Sequence, residues 1–377
     1  MKVLLATETG VAPSAQSGRP GAIRVALEAL GHKVVVATRE ESRITAFSNR
    51  VEAWAVTGAG GLPQRSRRHV NRLSRPLGDA AREVQPDVIV ATSTLVLGAP
   101  VPDVPVIVWP DATFHSAVAF GGYRRFDRLS PRRRTAYEAQ ESALLRRARV
   151  VGLPTDAAVS VVRSFVPETR LMVAPFGPNL PAAVIDEVRA ARRQRQRAMR
   201  LLFVAAEWER KGGDLVLAVV AELRRRGHTV DLTVIGRGRP ASDDDGGAEY
   251  VGHLSASDPT QRVALIRAWS SADVLLVPSL ADNFGAVVAE AAAVGVPVVA
   301  STQTGASEYV AQYGFGRVRR AEAAPTAQMV AEWADDVEVL VTSPETYVAA
   351  CAPAAEVLNY ASSITRLLAA AGVHGAL

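Results

Sequence analysis

Short apolar runs recur along the chain, most of them closed by a glycine- or proline-bearing turn and followed by a stretch of helical spacing. KVLLAT (2–7) runs into TGVAPSAQSGRPG, then the helical pattern AIRVALEALG, then HKVVVAT (32–38). Strand, loop, helix, strand in that order is a parallel βαβ unit. The pattern continues through PDVIVAT (86–92), VPVIVWP (104–110), ARVVGLP (148–154) and LMVAPFGPNL (171–180). Ser130-Pro131 marks a helix start before RRRTAYEAQESALLRRA, with serine as cap and proline at the first position.

A polar, basic stretch, DEVRAARRQRQRAMR (186–200), precedes a restart of the pattern. LLFVAAE (201–207), a helix over 214–227, DLTVIG (231–236), EYVGHLS (249–255), ADVLLVPS (272–279) and VPVVAST (296–302) follow. The expectation is two α/β domains with doubly wound, mostly parallel sheets, joined near 181–199 and bounded at 1–181 and 182–352. Ligands of such sheets sit at the carboxyl ends of the strands, so two domains facing each other would place functional loops along a cleft. The tail from Thr346 reads as helical with no strand after it.

The chain has 377 residues, 48% hydrophobic and 21% charged, ample for a core without staples. Cys351 is the one cysteine, so no intrachain disulfide forms and a reducing compartment fits. MKVLLATETG is too quickly polar for a signal peptide, and no apolar run is long enough for a membrane span. A cytoplasmic location is the expectation. Of the 43 basic residues only Lys2, Lys33 and Lys211 are lysine. This arginine bias, with much Ala and Val, has the look of a GC-rich bacterial genome. It explains the basic runs RSRRHVNR, YRRFDR and RRQRQR as well as nucleic-acid binding or weak contact with an anionic membrane surface would.

The most informative stretch is PSLADNFGAVVAEAAAVG (278–295), where a strand, a loop and a short helix carry Asp282 and, eight residues on, Glu290. A carboxylate among Ala and Val is costly to bury without a partner, and the flanking valines leave little room for a broad polar face. Helical spacing turns Glu290 back toward the loop of Asp282. Two such acids can accept paired bonds from vicinal hydroxyls of a sugar or ribose. DNFG also opens a helix, whose free N–H groups suit a phosphate. AEWERKGGD (206–214) is a second anion candidate, with Arg210 and Lys211 beside two glycines.

These residues add up to a resemblance. ADVLLVPS…DNFGAVVAEAAAVGVPVVAS…GASE resembles the nucleotide-sugar signature of the family 4 (group 1) glycosyltransferases, which have the GT-B fold: two Rossmann-like domains facing across a cleft, with a C-terminal helix crossing back to the first. WERKGGDLVLAVV and LMVAPFGPNL resemble two further signatures. The resemblance implies a nucleoside-diphosphate sugar as co-substrate, transfer with retention, and no metal or other cofactor. It makes 1–181 the acceptor-side domain, with the crossing helix at about 353–377. By resemblance Glu290 binds the ribose, Asp282 the donor sugar, and Lys211 the diphosphate. Asn283, Phe284 and Gly285 offer backbone N–H groups to sugar and phosphate, and Gly252 and His253 read the base. His115, in WPDATFHSAV (109–118), contacts the sugar near its anomeric carbon, with Asp111 beside it. Gly10 and Gly18 border the acceptor. Ala205 and Ala206 stand where the family has an arginine, with Arg210 as the substitute. The expected partners are the donor and a small-molecule, lipid-linked or polysaccharide acceptor, without nucleic acid.

Other signals carry less. GRGRPA (236–241) fits a dinucleotide fingerprint, but Pro240 and SDDDGG disfavour a helix there. SDDDGG reads as a solvated loop rather than a metal site. No zinc spacing and no nucleophile elbow is present. A sugar-nucleotide epimerase, a non-catalytic nucleotide-sugar-binding module and, last, a nicotinamide-dependent oxidoreductase are the alternatives.

Overall fold

The computed structural model describes residues 1–8, 10–12, 18–38, 62, 65, 67–98, 100–121, 126, 128–192, 198–237 and 246–373. Two compact units emerge, Met1–Pro175 with Tyr360–Leu377, and Phe176–Asn359. In the first unit β1 (Lys2–Ala6), β2 (Lys33–Ala37), β3 (Val88–Ala91), β4 (Val106–Val108), β5 (Val150–Leu153) and β6 (Leu171–Val173) form one sheet. Its order is β2-β1-β3-β4-β5-β6 and every pairing is parallel. β3, β4 and β5 are buried along their whole length, as strands covered by helices on both faces must be. The strand order reverses direction between β1 and β3, which opens a crevice at their carboxyl ends.

The second unit repeats the scheme with β7 (Met199–Ala205), β8 (Val230–Gly236), β9 (Glu249–Gly252), β10 (Val274–Val277), β11 (Val298–Ser301) and β12 (Gly316–Arg319). The order is β12-β11-β10-β7-β8-β9, again all parallel. This is the doubly wound dinucleotide-type order, and its switch point falls between β7 and β10. Arg200 and Asp273 tie that pair at its amino end: the Arg200 N–H donates to Asp273 Oδ2 at 2.9 Å and Nη2 to Oδ1 at 3.0 Å.

The structure gives bounds to three stretches of the sequence. The stretch near 181–199 contains a helix, α6 (Ala182–Ala191), in the second unit, so it is not simply a linker. Val184, Ile185 and Val188 form a buried stripe, and Arg189 Nε donates to Ala293 O at 2.7 Å. The division between the units falls at Pro175/Phe176 instead. Most of RSRRHVNR lies in a helix, Arg67–Val84, that buries Val70, Leu73 and Leu77. The tail is two helices, Pro344–Val357 and α14 (Tyr360–Ala370), and the first unit resumes at Tyr360. Most of YRRFDR, the RQRQR part of the basic run after 192, the GRPA end of GRGRPA and the SDDD start of SDDDGG lie outside the described residues.

α14 is built into the first unit. Ser363 Oγ donates to Pro175 O at 2.7 Å and Arg170 Nη1 to Ala370 O at 2.7 Å. Trp109 Nε1 donates to Ala174 O at 2.8 Å, and its ring meets Tyr360 edge to face at 5.8 Å. Gly152 is needed beneath this helix: a Cβ there would lie 2.9 Å from Leu367 Cδ2 and 3.0 Å from the Trp109 ring. Leu367 is fully buried. Leu367→Ala is therefore expected to destabilise the first unit by about 2–5 kcal/mol. A urea midpoint equal to that of the wild type would contradict this packing.

Candidate functional site

The loops that leave β7 and β10 are pressed together at the switch point of the second unit. After β7 the chain makes a single helical turn, α7 (Trp208–Lys211), then Gly212 and α8 (Gly213–Arg225). Both glycines are dictated by space. Gly212 has φ of 76°, and a Cβ on it would lie 2.1 Å from Pro278 O. A Cβ on Gly213 would enter the Trp208 indole at 2.2 Å. That indole is buried, donates to Asp214 Oδ1 at 2.7 Å, and anchors the turn. Across the junction Leu280 N donates to Arg210 O, and Arg210 Nη1 to Ala281 O, both at 2.8 Å.

This contact brings Lys211 to Asp282. Lys211 Nζ donates to Asp282 Oδ2, and both side chains are largely buried. Asp282 is fixed from its other side by the loop after β11. Asp282 N donates to Gln303 O at 3.1 Å, and Gly305 N to Asp282 O at 3.0 Å. Gly305 lies against Asn283 O, where a Cβ would come within 2.1 Å. Ser301 Oγ, bonded to Ser279 O and 3.1 Å from Thr304 Oγ1, stitches the ends of β10 and β11.

From Gly285, in the left-handed conformation with φ of 88°, α10 (Ala286–Val294) begins. Its first turn leaves N–H groups without intrahelical partners, directed at the Asn283–Gly285 loop. The Phe284 ring is turned into the core, 5.4 Å from Phe176 and 6.5 Å from Tyr309, so only its backbone is available to a ligand. Glu290 stands on α10 with its carboxylate accepting from the Asn179 backbone N–H and within electrostatic reach of Lys211. Burial pushes its pKa up to about 7, opposed by the Asn179 bond and the Lys211 charge. The structure thus gathers Arg210, Lys211, Asp282 and Glu290, with the loop 283–285, in one place. Gly252, with φ of 74°, and the exposed His253 end β9 on the same carboxyl edge of the sheet.

Arg210 differs from the expectation. One N–H of its guanidinium holds Ala281 O and another, at 2.9 Å, Glu207 Oε1, so it braces the two loops. Ala205, at one of the positions of the missing arginine, is fully buried, and Gly236 is pressed onto its carbonyl.

In the first unit Asp111 is exposed in the loop after β4, at the carboxyl edge of the sheet. His115 does not lie open beside it. It is only 1% exposed, on α3 (Phe114–Phe120), stacked on Phe165 at 3.8 Å with Nε2 3.1 Å from Ser142 Oγ. Burial lowers its pKa, outweighing the nearby Glu141 carboxylate. Apolar packing against Phe165 accounts for the inward turn. Gly10 has φ of 75°, and Gly18, φ 84°, caps α1 (Arg19–Ala29). The tighter approach in this loop is at Gly21, where a Cβ would lie 2.8 Å from Val11 O.

Sequence reasoning missed several partners. Asn179 and the Gln303–Gly305 loop act through backbone groups, which no side-chain pattern reveals. Glu141 is a buried carboxylate that accepts from the Phe114 N–H at the start of α3, from Thr94 Oγ1 at 2.8 Å and from Arg65 Nη2 at 3.4 Å. Cys351 is buried, and burial pushes its thiol up to about 12, which rules it out as a nucleophile near neutral pH. Among the described residues no cluster of three His, Cys, Asp or Glu side chains could hold a metal ion, and no helix is long and apolar enough to cross a membrane.

Residues 22–180 match the sequence pattern described as Glycosyltransferase Family 4, and residues 198–343 that described as Glycosyl transferases group 1. The chain belongs to the family 4, group 1 glycosyltransferases. It is 34% identical over 112 residues to D-inositol 3-phosphate glycosyltransferase of Mycolicibacterium smegmatis, covering 29% of this chain and 24% of that protein. With the protein of the same name from Paenarthrobacter aurescens it shares 29% identity over 234 residues, 58% of this chain and 55% of the other. These matches thus span about a quarter and about half the length of the two relatives. Among solved structures it is similar to sucrose-phosphate synthase from Thermosynechococcus elongatus, with TM-score 0.68 and 16% identity over 97% of both chains. It is also similar to Anabaena HepE in complex with UDP and glucose, with TM-score 0.62 and 14% identity over 99% of this chain and 100% of that one. These likenesses establish the two-domain GT-B fold.

The Glu290 shift makes stability depend on pH. Its folded pKa lies above the ordinary 4.5, so the folded state holds the proton more tightly than the unfolded chain. The associated stabilisation is complete below about 4.5 and is lost as pH rises through about 7, by at most about 3 kcal/mol. Glu290→Gln, a mimic of the neutral form, is expected to match the wild type at pH 5 and to exceed it in urea midpoint at pH 8. Equal midpoints at both pH values would show that the carboxylate is not desolvated.

Proposed function

We propose that the chain transfers a sugar from a nucleoside-diphosphate donor to a hydroxyl acceptor, with retention of anomeric configuration and without a metal. The observation that carries this reading is the convergence of Lys211, Asp282, Glu290 and the start of α10 at the switch point of the second sheet. The carboxylate of Glu290 suits the paired hydroxyls of a ribose, and Asp282 those of a sugar. The Lys211 ammonium has three N–H donors, of which Asp282 takes one. The remaining donors, with the N–H groups at Asn283–Gly285, suit the donor's diphosphate.

In the reaction the bond between the anomeric carbon and the β-phosphate oxygen breaks, and a bond to the acceptor oxygen forms on the same face of the sugar. The acceptor proton passes to the departing phosphate oxygen, so no separate protein base is required. Negative charge grows on the leaving diphosphate, and donors held in advance by the loop contacts stabilise it without reorganising. Such groups are typically worth about 100-fold or more in rate each. UDP-glucose is the first donor to test, because HepE was solved with UDP and glucose. A phosphorylated polyol is the first acceptor, because two relatives are named for D-inositol 3-phosphate.

Purified protein is to be screened for thermal shift with UDP-, GDP-, ADP- and dTDP-sugars, a bound donor raising apparent stability by mass action. Transfer is then to be assayed with the donor that binds, and the product anomer read by NMR. Glu290→Ala and Lys211→Ala are each expected to lower kcat/KM at least about 100-fold with the fold retained. EDTA is expected to leave the rate unchanged. Wild-type turnover in either variant would remove the site, and an inverted product would remove the retaining mechanism.

A further inference from the structure

The bases nearest the proposed diphosphate position are already engaged. Lys211 is bonded to Asp282, and Arg210 to Glu207 and to Ala281 O. Against Arg210 and Lys211 the same loops carry Glu207, Glu209, Asp214 and Asp282, so the β7 and β10 loops together hold no positive surplus. Ionisation of Glu290 above about pH 7 adds further negative charge. A polyanionic ligand entering such a place meets little net attraction, and anion sites are ordinarily built with a surplus of positive charge.

The surplus is present one strand away. Arg237 is the first residue after β8, and it is exposed. Among the described residues it has no ion-pair partner. Its position is set by the sheet: β8 lies beside β7 in parallel register, with Gly236 opposite Ala205. The two strand ends are in close contact, since a Cβ on Gly236 would lie 1.9 Å from Ala205 O. Arg237 is thereby held at the edge where the chain leaves Ala205 for the Glu207–Gly212 loop. Neighbouring strands are about 4.8 Å apart, less than the reach of an extended arginine side chain. A guanidinium also offers a paired N–H face to phosphate oxygens, which the single ammonium of Lys211 does not.

We propose that Arg237, which has no ion-pair partner among the described residues, binds the diphosphate of the donor, supplying from β8 positive charge beyond that of Arg210 and Lys211, which are paired with acids. This rests on the donor class proposed above, and the test separates the two. Affinities for UDP, GDP, ADP and dTDP and for the corresponding monophosphates are to be measured by calorimetry on the full chain, wild type and Arg237→Ala. Arg237 is exposed, so the variant is expected to keep the wild-type melting temperature. The preference for the diphosphate over its monophosphate should fall about tenfold or more in Arg237→Ala, with a flatter dependence on salt. Arg237→Lys should recover part of it. An undiminished diphosphate preference in Arg237→Ala overturns the assignment while leaving the donor class intact. Equal losses for mono- and diphosphate also overturn it, because they indicate a general disturbance of the site. A wild type that binds none of the four diphosphates overturns the donor class, and this assignment with it.

Discussion

Everything at the candidate site depends on the contact between β7 and β10, two strands far apart in sequence and adjacent in the sheet. The pair is fastened at both ends. At the amino end the Arg200 backbone and guanidinium grip Asp273. At the carboxyl end the Leu280 N–H, the Arg210 guanidinium and the close seat of Gly212 on Pro278 hold the outgoing loops together. Parallel strands provide no hairpin to set their register, so these fastenings and the buried apolar runs must do it. The Lys211–Asp282 pair is a consequence. Its partners are aligned by backbone, and the side-chain entropy that weakens exposed ion pairs is largely spent by the fold.

Glu141, which is buried, and Glu290, which is half-buried, show how environment divides structural from functional carboxylates. Glu141 accepts from a backbone N–H, a threonine hydroxyl and an arginine, which together meet the needs of a buried charge. It fixes the start of α3 and has little capacity left for a ligand. Glu290 is supported by one backbone bond and the more distant Lys211, and burial raises its pKa. Incomplete pairing of that kind leaves lone pairs for an incoming hydroxyl, at a cost in stability which a bound ligand would offset.

The strands were legible because a doubly wound sheet buries its centre on both faces, and apolar runs such as VLLV and VVAS have few other uses. β12 escaped because it is an edge strand in which Arg317 and Arg319 alternate with Val318, a pattern that reads as polar. α6 escaped for the opposite reason: its buried stripe is three residues long and adjoins a basic run that dominates the local composition. At the site, Asp282, Glu290 and Lys211 could be read because charged residues in apolar or glycine-bearing surroundings are conspicuous. Arg210 could be named but not its bracing role, which depends on a carbonyl contributed by another strand. His115 shows the limit more sharply. A histidine after a strand looks open to ligand, and only the packing of Phe165, fifty residues later, turns it inward.

The path of the chain adds a constraint that no local pattern contains. The first unit is interrupted after Pro175 and completed by α14, with the whole second unit between. Gly152, Trp109 and Pro175 all meet α14. Until residues 360–370 arrive, the face of β5 at Gly152 would lack its cover by Leu367, and Trp109 would lack its Tyr360 contact. The second unit is continuous in sequence, so its contacts can close first. Closing the first unit requires a loop of nearly two hundred residues, but loop entropy grows only logarithmically with length. The long return therefore costs little in stability and acts mainly on rate, through contacts of high sequence separation. A residue such as Leu367 is then expected to matter late in folding, speeding unfolding when truncated more than it slows the initial collapse.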